Sequence, residues 1–189
     1  TSALSAEDAH GRNVAIGYSA LNAQDAGADA YNIAIGYEAG LSVSTGINNV
    51  IIGGLAGDAL TTGHYNTAIG HQALSTEDAY GKNTAMGYAA LETLNANADG
   101  YNTAIGYRAG VSMTTGINNT LIGGNTGAAI LAGNDNVAIG AYAGDALTNG
   151  IRNVGIGTYA LSSEDAHGYN VAVGHGALEA VTSGAGNTA

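Results

Sequence analysis

Three acidic pairs, Glu7-Asp8, Glu77-Asp78 and Glu164-Asp165, are the residues of this chain best suited to chemistry. Two neighbouring carboxylates could share the acid and base roles of glycoside hydrolysis, or hold a Ca²⁺ ion in an oxygen-rich loop. Their placement argues against catalysis. The pair recurs at intervals of 70 and 87 residues, and an active site is seldom copied in series. With strands stacked about 4.8 Å apart, successive pairs would stand ~19 to 24 Å from one another. Solvated loop acids are the favoured reading, with Ca²⁺ binding as the alternative.

Other candidates dissolve in the same way. The run Ile51-Ile52-Gly53-Gly54-Leu55-Ala56-Gly57 follows a short apolar stretch as a dinucleotide loop would, but no βαβ unit surrounds it and it has a twin at Leu121 to Gly127. Gly81-Lys82-Asn83 lacks the Walker pattern. His10, His64, His71, His167 and His175 show no metal-ligand spacing, and no Ser/His/Asp arrangement stands out from its surroundings. The residues therefore nominate no catalytic group, no metal ligand and no cofactor site.

What organises the chain is repetition. Asn13, Asn32, Asn49, Asn66, Asn83, Asn102, Asn119, Asn136, Asn153, Asn170 and Asn187 are separated by 17 residues, except for two intervals of 19. Around the first ten runs one phrase, Asn-x-Ala-Ile-Gly-x-x-Ala-Leu/Gly. A unit this small gains a core only by stacking on its neighbours. Above it lies a block of 70 residues, since Asn13, Asn83 and Asn153 are each 70 apart. Both 19-residue intervals fall at the same place in the block, which predicts one bulged surface loop repeated at fixed spacing. The chain opens and closes part-way through a unit, as a slice of a longer repetitive protein would.

Composition alone would suggest disorder, because Leu, Ile, Val and Phe supply only 36 of 189 residues and the net charge is −11. Register overrules it: the third residue after the Asn is Ile16, Ile35, Ile52, Ile69, Met86, Ile105, Ile122, Ile139, Ile156 or Val173. Four Lys plus Arg against fifteen Asp plus Glu argue against nucleic acid or an anionic membrane surface as partner. No apolar run approaches the ~18 residues of a membrane span. With no Cys, disulfides and thiolate metal sites are excluded.

Each unit predicts a strand of about four residues ending at a glycine: Gly17, Gly36, Gly53, Gly70, Gly87, Gly106, Gly123, Gly140, Gly157 or Gly174. The expected fold is all-β, a parallel β-solenoid of about ten coils and ~48 Å, over residues 1–189 as a single repetitive segment. Each of these glycines should need a conformation or clearance that a Cβ would spoil. Stacking in register would bring the Asn side chains into an amide ladder, the alternative being an Asn that only caps its own turn. Strand alternation separates the first and third columns from the second, which reads Ala15, Ala34, Ile51, Ala68, Ala85, Ala104, Leu121, Ala138, Gly155 and Ala172. The large third column is expected inside. The small second column, also apolar, is expected against partner chains, unless the coil is a flat two-layer one with small residues within. Where the second column enlarges to Ile51 or Leu121, the fifth residue after the Asn shrinks to Gly54 or Gly124. Tyrosines cluster in that fifth column and just before the Asn, where a ring could cover the roll edge and keep its hydroxyl wet; carbohydrate stacking is the functional alternative.

The tandem phrase Asn-Thr-Ala-Ile-Gly-Tyr-x-Ala-Leu/Gly, at Asn66, Asn83 (with Met86) and Asn102, resembles the repeats of bacteriophage tail-fibre-like proteins. Val-Ala-Ile-Gly at residues 14–17 and 137–140 looks like the head repeats of trimeric autotransporter adhesins. The resemblance covers the whole chain and implies a left-handed parallel β-roll wound by three identical chains. The coil of 17 residues is longer than the adhesin coil, and the residues themselves leave the hand open. By this resemblance the chain is an extracellular, homotrimeric fibre or shaft segment of a virion or cell surface, its receptor-binding tip, for a glycan for example, lying elsewhere. A self-assembling extracellular filament and an ice- or surface-binding solenoid are the alternatives.

Overall fold

A computed structural model of the chain describes residues 3–7, 11–163, 167–181 and 184–189. Ten strands of three residues each form one parallel sheet in strict sequence order: β1 (Val14–Ile16), β2 (Ile33–Ile35), β3 (Val50–Ile52), β4 (Thr67–Ile69), β5 (Thr84–Met86), β6 (Thr103–Ile105), β7 (Thr120–Ile122), β8 (Val137–Ile139), β9 (Val154–Ile156) and β10 (Val171–Val173). The fold is an all-β parallel solenoid of about nine turns, with no helix among the described residues. Each column pairs with itself across every step, as Val50 with Thr67 and Ile52 with Ile69.

The two longer intervals leave this register untouched, since Val14 still faces Ile33 and Thr84 still faces Thr103. In the first, coil-to-coil bonding runs as far as Asp25 N–H to the Ser44 carbonyl and resumes at Ala30 N–H to the Gly11 carbonyl. The extra length is thereby confined to 26–29, where Gly27 and Ala28 are exposed. Asn97 and Ala98 protrude equivalently in the second.

The interior differs from the expectation in one decisive respect. The second column is inside: Ala34, Ile51, Ala68, Ala85, Ala104, Leu121, Ala138 and Ala172 are all fully buried. The third column faces outward, Ile16 being 58 % and Val173 59 % exposed. The second column therefore packs within its own coil and not against a partner chain. Size is the reason. The opposite wall sends in Leu21, Leu74, Leu91 and Leu161 eight residues after the Asn, and Leu60, Leu94, Met113, Ile130 and Leu147 eleven residues after it, all buried. Only small residues fit beneath them in so thin a core. Where the second column enlarges to Ile51, the eighth residue becomes Gly57, whose Cβ would stand 2.9 Å from Leu60 Cδ1 and 3.5 Å from Ile51. At Gly127 a Cβ would meet Leu121 at 2.9 Å. Glycine also fills the eighth position in coils whose second column is Ala, at Gly40, Gly110 and Gly144, where a Cβ would likewise meet core side chains.

The return wall is not a second extended strand. In every coil a left-handed residue stands at the sixth and the eighth position after the Asn and one residue before it, and most are not glycine: Glu38 (φ 53°), Leu21 (φ 47°) and Tyr31 (φ 55°) are examples. Each costs roughly 1–2 kcal/mol relative to right-handed backbone. Coil-to-coil hydrogen bonds hold them, as Glu38 N–H to the Tyr18 carbonyl at 2.8 Å and Leu21 N–H to the Ala39 carbonyl at 3.0 Å.

Candidate functional site

The marker asparagines form a continuous file through the molecule. Each Oδ1 accepts from the backbone N–H of the next Asn, in ten consecutive bonds of 2.8–3.1 Å from Asn13 to Asn187. Side-chain to side-chain bonds join some steps, Asn136 Nδ2 to Asn119 Oδ1 at 3.1 Å among them. Most Nδ2 groups also donate to a carbonyl fourteen residues on, for example from Asn32 to Gly46 at 2.7 Å and from Asn102 to Gly116 at 2.8 Å. The repeating link is side chain to backbone. From Asn32 to Asn170 these asparagines are buried, so the file is part of the interior, where unpaired amides would be costly.

The glycines that end the strands carry φ between 131° and 144°, a region closed to other residues. At Gly53 a Cβ would also stand 2.5 Å from the carbonyl oxygen of Gly70. Gly174 has a similar φ of 137°, but nothing nearer than Ala177 Cβ at 4.0 Å.

Outside lies the surface made by the first and third columns. Its twenty positions hold Val, Ile, Thr and one Met, with no charge in a chain of net charge −11. Val14, Ile16, Ile33, Met86, Ile105, Ile156, Val171 and Val173 are exposed on it. Nine steps of about 4.8 Å between the ten strands make this a mainly apolar strip ~43 Å long. Contiguous apolar surface of that extent is uncommon on monomeric globular proteins.

Beside it runs an aromatic row. Tyr18 stacks on Tyr37 with centroids 5.4 Å apart and planes 11° apart, His71 on Tyr88 at 5.7 Å and Tyr88 on Tyr107 at 5.4 Å, all in the fifth column; in the adjoining sixth column Tyr142 stacks on Tyr159 at 5.2 Å. Tyr88 is stacked on both faces, and Tyr18, Tyr37, His71 and Tyr107 on one face each. A second edge carries a clasp with near 70-residue spacing: Arg12 lies over Tyr31, Lys82 over Tyr101 and Arg152 over Tyr169, each cation also donating to the tyrosine hydroxyl at 2.6–2.9 Å. Asp29, Asp99 and Asp135 complete the three clasps as ion-pair partners. The Lys82 ammonium is held above its ordinary range by Asp99, and the Asp99 carboxyl below its own by Lys82.

The acidic pairs part company. Asp78 is exposed, but Glu77 is fully buried, its Oε1 accepting from Tyr80 N–H and its Oε2 from Ala96 N–H, both at 3.3 Å. Burial pushes its carboxyl up to about 7. Glu77 is therefore a core residue and not a solvated loop acid; it occupies the inward slot filled by Leu94 one coil later. Glu7 is half-buried, accepting from Asn13 Nδ2 at 2.9 Å, while Asp8, Glu164 and Asp165 lie outside the described residues, as does His10. His64 accepts from Ile47 N–H at 3.0 Å, and His175 meets Tyr159 edge-on at 6.2 Å. Among the described residues there is no enclosed pocket and no group of three or more His, Asp or Glu that could hold a metal ion. No described helix is long and apolar enough to cross a membrane.

No protein-family model, curated protein or solved structure matches the chain.

Proposed function

We propose that the chain is a structural segment: a stiff rod in an extracellular fibre or adhesin shaft, built from three copies with their apolar strips turned to a common axis. The observation that carries the reading is the uncharged strip of the first and third columns, left half-open on a single chain. Stiffness has its own source in the unbroken Asn file and the in-register sheet, which tie each coil to the next without a hinge. On this reading the working partner is another copy of the chain, with receptor or glycan recognition assigned to other parts of the fibre. Light scattering on the purified chain tests this: a particle of three times the 18.5 kDa chain mass is expected. A monomer refutes it and moves the strip to the surface-binding reading, while open-ended masses growing with concentration favour the filament.

A further inference from the structure

The aromatic row is interrupted once between two rings. Along the fifth column the residues run Tyr18, Tyr37, Gly54, His71, Tyr88, Tyr107. Tyr37 is covered on one face by Tyr18, and His71 on one face by Tyr88. Their other faces look toward one another across Gly54, two coil steps or about 9.6 Å apart. Every filled step of this row holds one ring with a centroid spacing of 5.4–5.7 Å. The gap is thus one ring thick. Tyr88, sandwiched on both sides, is 47 % exposed, whereas Tyr37 is 56 % exposed.

Nothing in the fold requires glycine at this position. Gly54 does not have a positive φ, and a Cβ there would make only ordinary contacts, 3.4 Å to His71 Cδ2 and 3.9 Å to the Tyr37 carbonyl. The floor and walls are tied together by Leu55 N–H to the Tyr37 carbonyl at 2.9 Å and Gln72 N–H to the Gly54 carbonyl at 3.0 Å. Gly124, the other glycine of the column, is followed by Ala141 and so has a ring on one side only.

We propose that the slot formed by Tyr37, Gly54 and His71 binds one planar aromatic ring carrying a cationic group, the ring between the two side chains and the cation beside Glu38. Face-to-face offset stacking on both sides supplies the contact. Glu38, adjacent to Tyr37 in the chain, places a carboxylate beside this wall of the slot. A puckered saccharide is thicker than an aromatic ring and fits a one-ring gap less well. This site is independent of the fibre reading, since it needs only a single chain.

The test is a titration of the full chain with tyramine, followed by the ring resonances of Tyr37 and His71. Saturable upfield shifts at both residues are expected. Gly54→Tyr, which fills the gap from within, and His71→Ala, which removes one exposed wall, should each weaken the response at least tenfold. The same ring with opposite charge, 4-hydroxyphenylacetate, should bind at least tenfold more weakly than tyramine. Equal shifts at the open face of Tyr107, undiminished binding by both variants, equal binding of the anion, or preferential saturation by methyl glucoside would each overturn the proposal.

Discussion

Ala104 and Ile105 are neighbours in β6 and face opposite ways, Ala104 fully buried and Ile105 36 % exposed. One residue separates the interior from the strip proposed as the interface. Glutamate at the two positions should therefore have separable effects. Ala104→Glu buries a charge with no partner and should unfold the chain, at a cost of several kcal/mol. Ile105→Glu should keep the monomer fold, within about 1 kcal/mol, and lower the particle mass in light scattering. A folded Ala104→Glu variant would contradict the burial.

Gly106 and Gly174 separate conformational strain from collision. Their φ angles are 139° and 137°, but a Cβ on Gly106 would collide with the Gly123 carbonyl, whereas one on Gly174 meets only Ala177 Cβ at 4.0 Å. Gly174→Ala should cost about 1–3 kcal/mol for the backbone alone. Gly106→Ala should cost clearly more, as thermal or urea unfolding would show. Equal losses would mean that the neighbouring coil yields freely.

Asn102 accepts from Asn119 N–H at 2.9 Å and donates to the Gly116 carbonyl at 2.8 Å. Asn102→Ala leaves both buried partners unsatisfied and should cost about 2–6 kcal/mol, at ~1–3 for each lost partner. Asn102→Asp keeps the acceptor but loses the donor and adds a buried charge, so it should be less stable at pH 8 than at pH 5. If the melting temperature of the Asn102→Asp variant fell no more from pH 5 to pH 8 than that of the wild type, which has the Glu77 slope alone, a buried file would be inconsistent with it.

Glu77 gives wild-type stability a pH slope of its own. Its folded pKa is raised from 4.5 to about 7, so the folded state binds the proton more tightly than the unfolded one. The resulting stability is fully present below about pH 4.5 and is lost as the pH rises toward 7. Glu77→Leu, which copies the Leu94 of the next coil, should abolish that slope and stabilise the chain at pH 8 by on the order of 1–3 kcal/mol. Parallel melting curves for the two proteins from pH 4 to 8 would refute the assignment.

The parallel solenoid is legible because a 17-residue period of Asn and Gly permits little besides one strand per coil. Which side of the strand faces inward is not. Alternation shows that Ala104 and Ile105 differ in direction, and the larger residue has the look of the core residue; the missing information is the depth of the coil, set by Leu91, Leu94 and Met113 from the far wall. The left-handed backbone at Leu21, Tyr31 and Glu38 leaves no trace in residue type, because hydrogen bonds from neighbouring coils, and not local preference, impose it. Glu77 misleads for a related reason, since a polar residue in an inward column looks like loop until its neighbours show Leu and Met.

The bulges at residues 26–29 and around Asn97 and Ala98 leave the strand pairing on both sides unchanged. Chain length at these two points is mechanically decoupled from the axial repeat. Larger loops, epitopes or whole folded inserts placed there would project sideways at a spacing of four coils, about 19 Å, without changing the rise of the rod. The solenoid is in that sense a scaffold with addressable pegs, and diversification of its surface need never perturb its length.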